Sequence, residues 1–229
     1  MSSTAIRVPK NDRDKLMGRA VDVLVGEEKE IFSVHGKLIR ASSPFFDKTM
    51  SGAWLESAES TIQLPEDEPE IFGIYVHWLY YGKFPVYCNE PGRLANAEYL
   101  KLVKAYTLGD KLMDTEFQNA AIDAIVEKST SITSDGHKWY PAAEEVEFAY
   151  NNTHKSAPVR RLLVDMYVSA GNGEWLDDEN PDSVPQPFLF ELSSKLLDLR
   201  GGARPEIKAS NYHIHHSVDV KTETEKGSS

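Results

Sequence analysis

The chain is short of cysteine, of positive charge and of long apolar runs. One cysteine, Cys88, occurs in 229 residues, so no internal disulfide can form, as suits a reducing compartment. Lys and Arg number 25 against 36 Asp and Glu, a formal charge of −11. Nucleic-acid binding needs clustered bases, and no basic stripe with interleaved aromatics occurs, which argues against that partner. No apolar run reaches the roughly 20 residues of a membrane span, and Met1-Ser2-Ser3-Thr4 lacks a signal-peptide core. The expectation is an intracellular protein, in cytoplasm or nucleus. Asn151-Asn152-Thr153 matches a glycosylation acceptor, idle without secretion.

Catalytic patterns are missing too. The chain offers no glycine loop for phosphate, no paired carboxylates at a useful spacing and no nucleophile with a base near in sequence. Cys88 sits in Pro85-Val86-Tyr87-Cys88-Asn89 and reads as an inert or surface thiol. His213, His215 and His216 have metal-like spacing but no cysteine and no clear fourth ligand, so adventitious binding is the expectation. His35 and His77 read as satisfied structural histidines. No enzyme activity, cofactor or metal is predicted.

What is present is a real core, with 41% hydrophobic residues. Val21, Val23 and Val25 alternate with Asp22 and Leu24, Gly26 to Lys29 turn the chain, and Glu30 to His35 returns, predicting a hairpin. Ser43 before Pro44 predicts a capped helix from about Pro44 to Ser51, with Gly52 as its stop, in which Phe45 with Thr49 and Phe46 with Met50 are four apart and press aromatic and thioether mass inward. Ser60 to Leu64 alternates again and Pro65 ends it. Asp67-Glu68-Pro69-Glu70 favours a helix start, and the helix should run to Tyr81 and stop at Gly82. Its apolar positions, Ile71, Phe72, Ile74, Tyr75, Trp78 and Leu79, cover most of the circumference; the aromatics read as core, with a groove lining as the alternative.

Further helices follow. Leu100, Val103, Tyr106 or Thr107, and Leu112 mark one near 96–113, and Asp114 is placed to cap another carrying Phe117, Ala120, Ala121, Ala124 and Ile125. After the polar stretch 129–136, three more are expected: one opened by Pro141, one capped by Ser156 with a stripe from Val159 to Ala170, and one with Phe188, Leu189, Leu192, Leu196 and Leu199. Residues 1–15 read as a mobile arm. Beyond Gly201-Gly202 the tail is polar with balanced charge and is expected to be disordered.

Val21 to Gly26, Ile31 to His35, Ile39 to Phe46 and Ile71 to Gly82 together resemble the BTB (POZ) family, a protein-interaction fold, and Leu108-Gly109-Asp110-Lys111-Leu112 resembles the start of that fold's last helical hairpin. Pro158 to Asp165 resembles the extension that follows the domain in filamentous-fungal proteins. The resemblance implies an α+β class: a BTB core at 16–128, a small β-sheet flanked by a helical cluster, then an α-helical extension at 129–200 and the tail 201–229. It implies a non-catalytic adaptor or scaffold. A cullin-type ubiquitin ligase adaptor is one alternative, and a transcriptional co-regulator acting by self-association is another.

Two sets of site residues come from the resemblance. In cullin-recruiting members a loop carries a hydrophobic residue, any residue, then glutamate, and Trp54-Leu55-Glu56 stands at that place. Trp54 is either an exposed anchor for a partner or part of the core. In homodimers an acidic strand residue and a base form a pocket. Asp22 matches the acid, whereas Gly36 stands at the base's position with Lys37 next. Asp22 is alternatively a solvated strand residue or a partner of a backbone amide. Partners implied are proteins, a cullin or a second copy, with no nucleic acid and no membrane.

Overall fold

A computed structural model describes residues 7–51, 61–176, 183–199 and 201. Trp54, Leu55 and Glu56, the three tail histidines and most of the tail lie outside them. Among the described residues the architecture is α+β, a three-stranded sheet with eight α-helices. β1 (Ala20–Val25) and β2 (Glu30–His35) form the expected antiparallel hairpin, with Val23 opposite Phe32. β3 (Thr61–Leu64) pairs parallel to β1, giving the order β2-β1-β3. A parallel pair needs a long crossover; here it runs through α1 (Gly36–Ser42) and α2 (Pro44–Thr49).

The alternation predicted for the strands sets the first core. Val21, Val23, Val25, Ile62 and Leu64 face inward and are buried. Against them pack Phe46 and Met50 around α2 and Ile71, Phe72 and Tyr75 of α3 (Pro69–Tyr81), which begins at its proline and ends on Gly82 in the left-handed region at φ 63°. Sequence reasoning missed α1. It is seven residues long, starts on glycine and has no side-chain cap, so neither periodicity nor capping announces it. Gly36 is required by packing: a Cβ there would lie 3.1 Å from Val21 Cγ2 and 3.2 Å from Met50 Cε.

α4 (Ala97–Lys111) and α5 (Thr115–Thr130) follow, hinged at Asp114, whose carboxylate accepts the Phe117 N–H at 3.0 Å as a helix cap should. α6 (Ala143–Asn152), α7 (Pro158–Ala170) and α8 (Gln186–Asp198) are the remaining helices among the described residues. They do not form a core of their own. Tyr99, Leu102 and Tyr106 of α4 and Ala121 and Ile125 of α5 are packed with Val146, Leu163, Tyr167 and Phe188 in one cluster.

Three local expectations are corrected. α7 is capped at Ala157 without a side-chain bond, because Pro158 takes the first helical position and the Ser156 side chain is engaged with His154 at 3.0 Å. α6 starts at Ala143, where Glu145 reaches back to the Ala142 N–H at 2.7 Å, rather than at Pro141. Leu196 and Leu199 of the last stripe are exposed, since only the Phe188 and Leu192 side of α8 meets the core. Arg160, outside the predicted stripe, is buried and closes the end of α6: its guanidinium donates to the Tyr150 carbonyl at 2.7 Å and to the Thr153 hydroxyl at 2.9 Å.

Candidate interaction surfaces

Among the described residues β2 is an edge strand, and its geometry fixes which groups it offers. The Gly36 N–H donates to the Arg19 carbonyl at 3.1 Å, extending the β1–β2 ladder. In an antiparallel pair bonding alternates along the strand, so Val34, Phe32 and Glu30 face β1 through their main chains. Ile31, Ser33 and His35 face outward. The His35 N–H accordingly reaches away from β1, to the Tyr80 hydroxyl at 3.0 Å, and the same hydroxyl lies 2.7 Å from His35 Nδ1. Having accepted the amide proton, the phenol is placed to donate to the ring nitrogen. α3 thus caps one end of the edge and leaves the Ile31 and Ser33 main chains open among the described residues.

Beside that edge runs a shallow groove of about 350 Å³ lined by Phe32, Gly73, Val76, His77, Tyr80 and Tyr81. Phe32 seals its floor by an edge-on contact with Phe72, centroids 5.2 Å apart. Gly73, Val76, His77 and Tyr80 are spaced three, four and seven apart, one face of α3. That spacing was the available signal; assigning the aromatics of this helix to the core hid it. Tyr75 and Trp78 do serve packing. Tyr75 is fully buried and stacks on the partly buried Trp78 at 6.2 Å.

A second groove, of about 320 Å³, lies between the start of α3, α4 and α6. Both of its lysines are already paired, Lys111 with Asp67 and Lys104 with Glu68, each at 2.7 Å, and beside it Lys101 pairs with Glu70. Lys104 also stands over the Phe148 ring, 5.6 Å from its centroid. Self-paired charges of this kind tie elements together and offer little to a ligand.

Asp22 is half-buried and accepts a hydrogen bond from Ser33 Oγ at 2.5 Å, a close cross-strand pair at a position where the main chains do not bond to each other. Lys37 is exposed one residue into α1. Position 36, where the resembling pocket carries a base, is in the core. Cys88 is half-buried; its N–H donates to Glu98 Oε1 at 2.6 Å. His77 Nδ1 donates to the Lys83 carbonyl at 2.8 Å.

Several buried polar groups are bonded to one another, while Asn96 Oδ1 and Ser183 Oγ are buried without a hydrogen-bond partner among the described residues. Asp114 accepts from Ser42 Oγ at 2.5 Å and from the Tyr75 hydroxyl at 2.9 Å, besides its cap bond. Burial first, then the Asp114 charge, pushes the Tyr75 phenol far above its ordinary value. Glu98 and Lys128, both buried, pair at 3.2 Å. These bonds tie α1, α3, α4 and α5 to one another. Among the described residues no group of three or more His, Cys, Asp or Glu side chains is placed to hold a metal ion. No helix among them is long and apolar enough to cross a membrane.

Comparison with known proteins gives one family: the model for the BTB/POZ domain matches residues 14–116. No curated protein matches the chain. Among solved structures it is similar to one described as the structure of the BTB (Tramtrack and Bric a brac) domain of human Gigaxonin. The identity is 11%, with 54% of this chain and 98% of that chain covered, at a TM-score of 0.36.

Proposed function

Starting from a chain whose residues 14–116 are a BTB/POZ domain, we propose that this protein is a non-catalytic protein–protein interaction module that acts as an adaptor or scaffold. The family match carries the reading. One further observation supports it: the surface carries an open strand edge beside an apolar groove. In this reading residues 16–128 hold the partner. Residues 129–200 brace the module through the core shared with α4 and α5. Self-association is part of the proposal, with Asp22 and Lys37 at the interface.

A second reading, adaptor of a cullin-type ligase, is favoured by Trp54-Leu55-Glu56 in the sequence. The full chain used as bait in lysate of its own cells, with cross-linking and mass spectrometry, tests both. Reproducible protein partners are expected, and a cullin among them selects the second reading. A chain that captures nothing above a bead control would sink the module.

A further inference from the structure

We propose that the outer edge of β2, with the groove beside it, is a docking site for a short extended peptide carrying an apolar or aromatic residue and lysine or arginine at one end. The inference rests on the interaction-module reading and names the partner's chemistry.

Main-chain geometry selects an extended occupant. The edge offers the N–H and C=O groups of Ile31 and Ser33, spaced as a strand requires, and a helix has no free main-chain groups to match them. Tyr80 occupies the next donor, at His35, so the open stretch is only a few residues long and ends at α3. An added strand places alternate side chains on the two faces of the sheet. Those on the core side fall over Phe32 and into the groove toward Gly73 and Val76, and those on the outer side meet Ile31, which is 64% exposed. Gly73 keeps the groove open against Phe32, whose Cε1 lies 3.5 Å from where a Cβ would be.

Charge selects the end. The capped end at His35 leaves the peptide free to continue only past the hairpin. There Gly26-Glu27-Glu28-Lys29-Glu30 presents three carboxylates to one lysine, all exposed. None of those carboxylates is in an ion pair among the described residues, whereas at the start of α3 Asp67, Glu68 and Glu70 each hold a lysine and Glu66 is left as a single carboxylate. An unmatched acidic turn continuing an open edge complements a basic terminus.

The probes are two fluorescein-labelled peptides, Val-Thr-Tyr-Thr-Val-Lys-Lys and its reversed sequence, so strand direction is not assumed. Anisotropy is read on the full-length protein. One of the two is expected to bind, and replacing its lysines by glutamates or methylating alternate backbone nitrogens should each lower affinity at least tenfold. Ile31→Pro removes an outward N–H while sparing the bonds to β1, and should also cost tenfold or more. If that variant melts early, Tyr81→Ala at a site 69% exposed and the double variant Glu27→Gln, Glu28→Gln serve instead, each expected to cost about threefold. The proposal is overturned if neither peptide binds, if the methylated peptide binds equally well, or if the folded variants bind as the wild type does. It is also overturned if sedimentation shows a dimer that Ile31→Pro dissociates, since a second copy would then own the edge. Partners captured from lysate equally by wild type and Ile31→Pro would reject this site and leave the module standing.

Discussion

Tyr75 donates its buried hydroxyl to Asp114 at 2.9 Å, and this bond fastens α3 to the hinge between α4 and α5. The same carboxylate takes Ser42 Oγ and caps α5, so four elements converge on one charge. A bond from a neutral donor to a buried carboxylate contributes about 1.5 to 3 kcal/mol. Tyr75→Phe should therefore lower unfolding free energy by about 2 kcal/mol with little change in fold. Asp114→Ala also loses the cap and strands two hydroxyls, about 3 to 5 kcal/mol in total. Chemical denaturation of both variants checks the order; equal losses would show that the Tyr75 bond carries the whole effect.

Gly109 stands where α4 and α5 approach most closely. A Cβ there would lie 2.8 Å from Gln118 Cγ, 3.1 Å from Phe117 Cδ1 and 3.3 Å from the Gln118 backbone nitrogen. Within a helix, alanine is better than glycine by about 1 kcal/mol. Phe117 is fully buried and cannot yield, and overpacking costs about 1 to 3 kcal/mol. Gly109→Ala should come out destabilising by about 1 kcal/mol. A melting temperature above the wild type's would show that the helices part freely.

The sheet and most helices were legible in the residues because their signals are local. Alternation announced β1, β2 and β3, proline and glycine punctuated α3, and Ser43 and Asp114 marked helix starts. The parallel placement of β3 was not legible, since it depends on the crossover through α1 and α2 rather than on β3 itself. Arg160 was hidden for a similar reason. Its partners are carbonyls at the end of another helix, and only tertiary packing brings them within reach. The groove beside β2 could have been read from the spacing of Gly73, Val76, His77 and Tyr80, but aromatics on a mostly apolar helix point equally well to a core.

Asp135 predicts an acid sensitivity. Thr133, the Gly92 N–H, the His137 N–H and Trp139 Nε1 all donate to its carboxylate, with Thr133 foremost in holding it well below the usual carboxylate range. A depressed carboxylate stabilises the fold fully above its ordinary value, about 3.9, and that contribution fades as pH falls from there toward the folded value. Asp135→Asn should melt lower than the wild type at neutral pH, and the gap should narrow below about pH 4. A gap independent of pH would mean that the loop tolerates the amide and that charge is immaterial.

At the alkaline end the sign reverses. Burial, then the charge of Glu145, raises Tyr167 to about 12, and burial leads the upward shifts of Tyr75, Tyr99, Tyr106 and Tyr150. A phenol raised in the fold stabilises it below the unfolded value, about 10, and that stability is lost as pH climbs through the folded value. The phenolate absorbance of these five should therefore rise together with loss of helical circular dichroism. A rise complete while the helices persist would show that water reaches these phenols in the folded protein.

Trp54 decides between the two proposed functions. In the cullin reading Trp54 is the anchor and Glu56 orients it, so Trp54→Ala should weaken cullin binding by about 2 kcal/mol, the hot-spot scale, with denaturation unchanged. Glu56→Ala should weaken binding less, because a charge at the edge of a contact mainly steers the encounter. Were the indole part of the core, the same Trp54→Ala change would cost about 3 to 5 kcal/mol of stability, visible without any partner. Denaturation and cullin binding measured on the one variant separate the cases. Wild-type protein that binds no cullin, or a stable Trp54→Ala variant that binds as well as wild type, would remove the ligase reading and leave the scaffold.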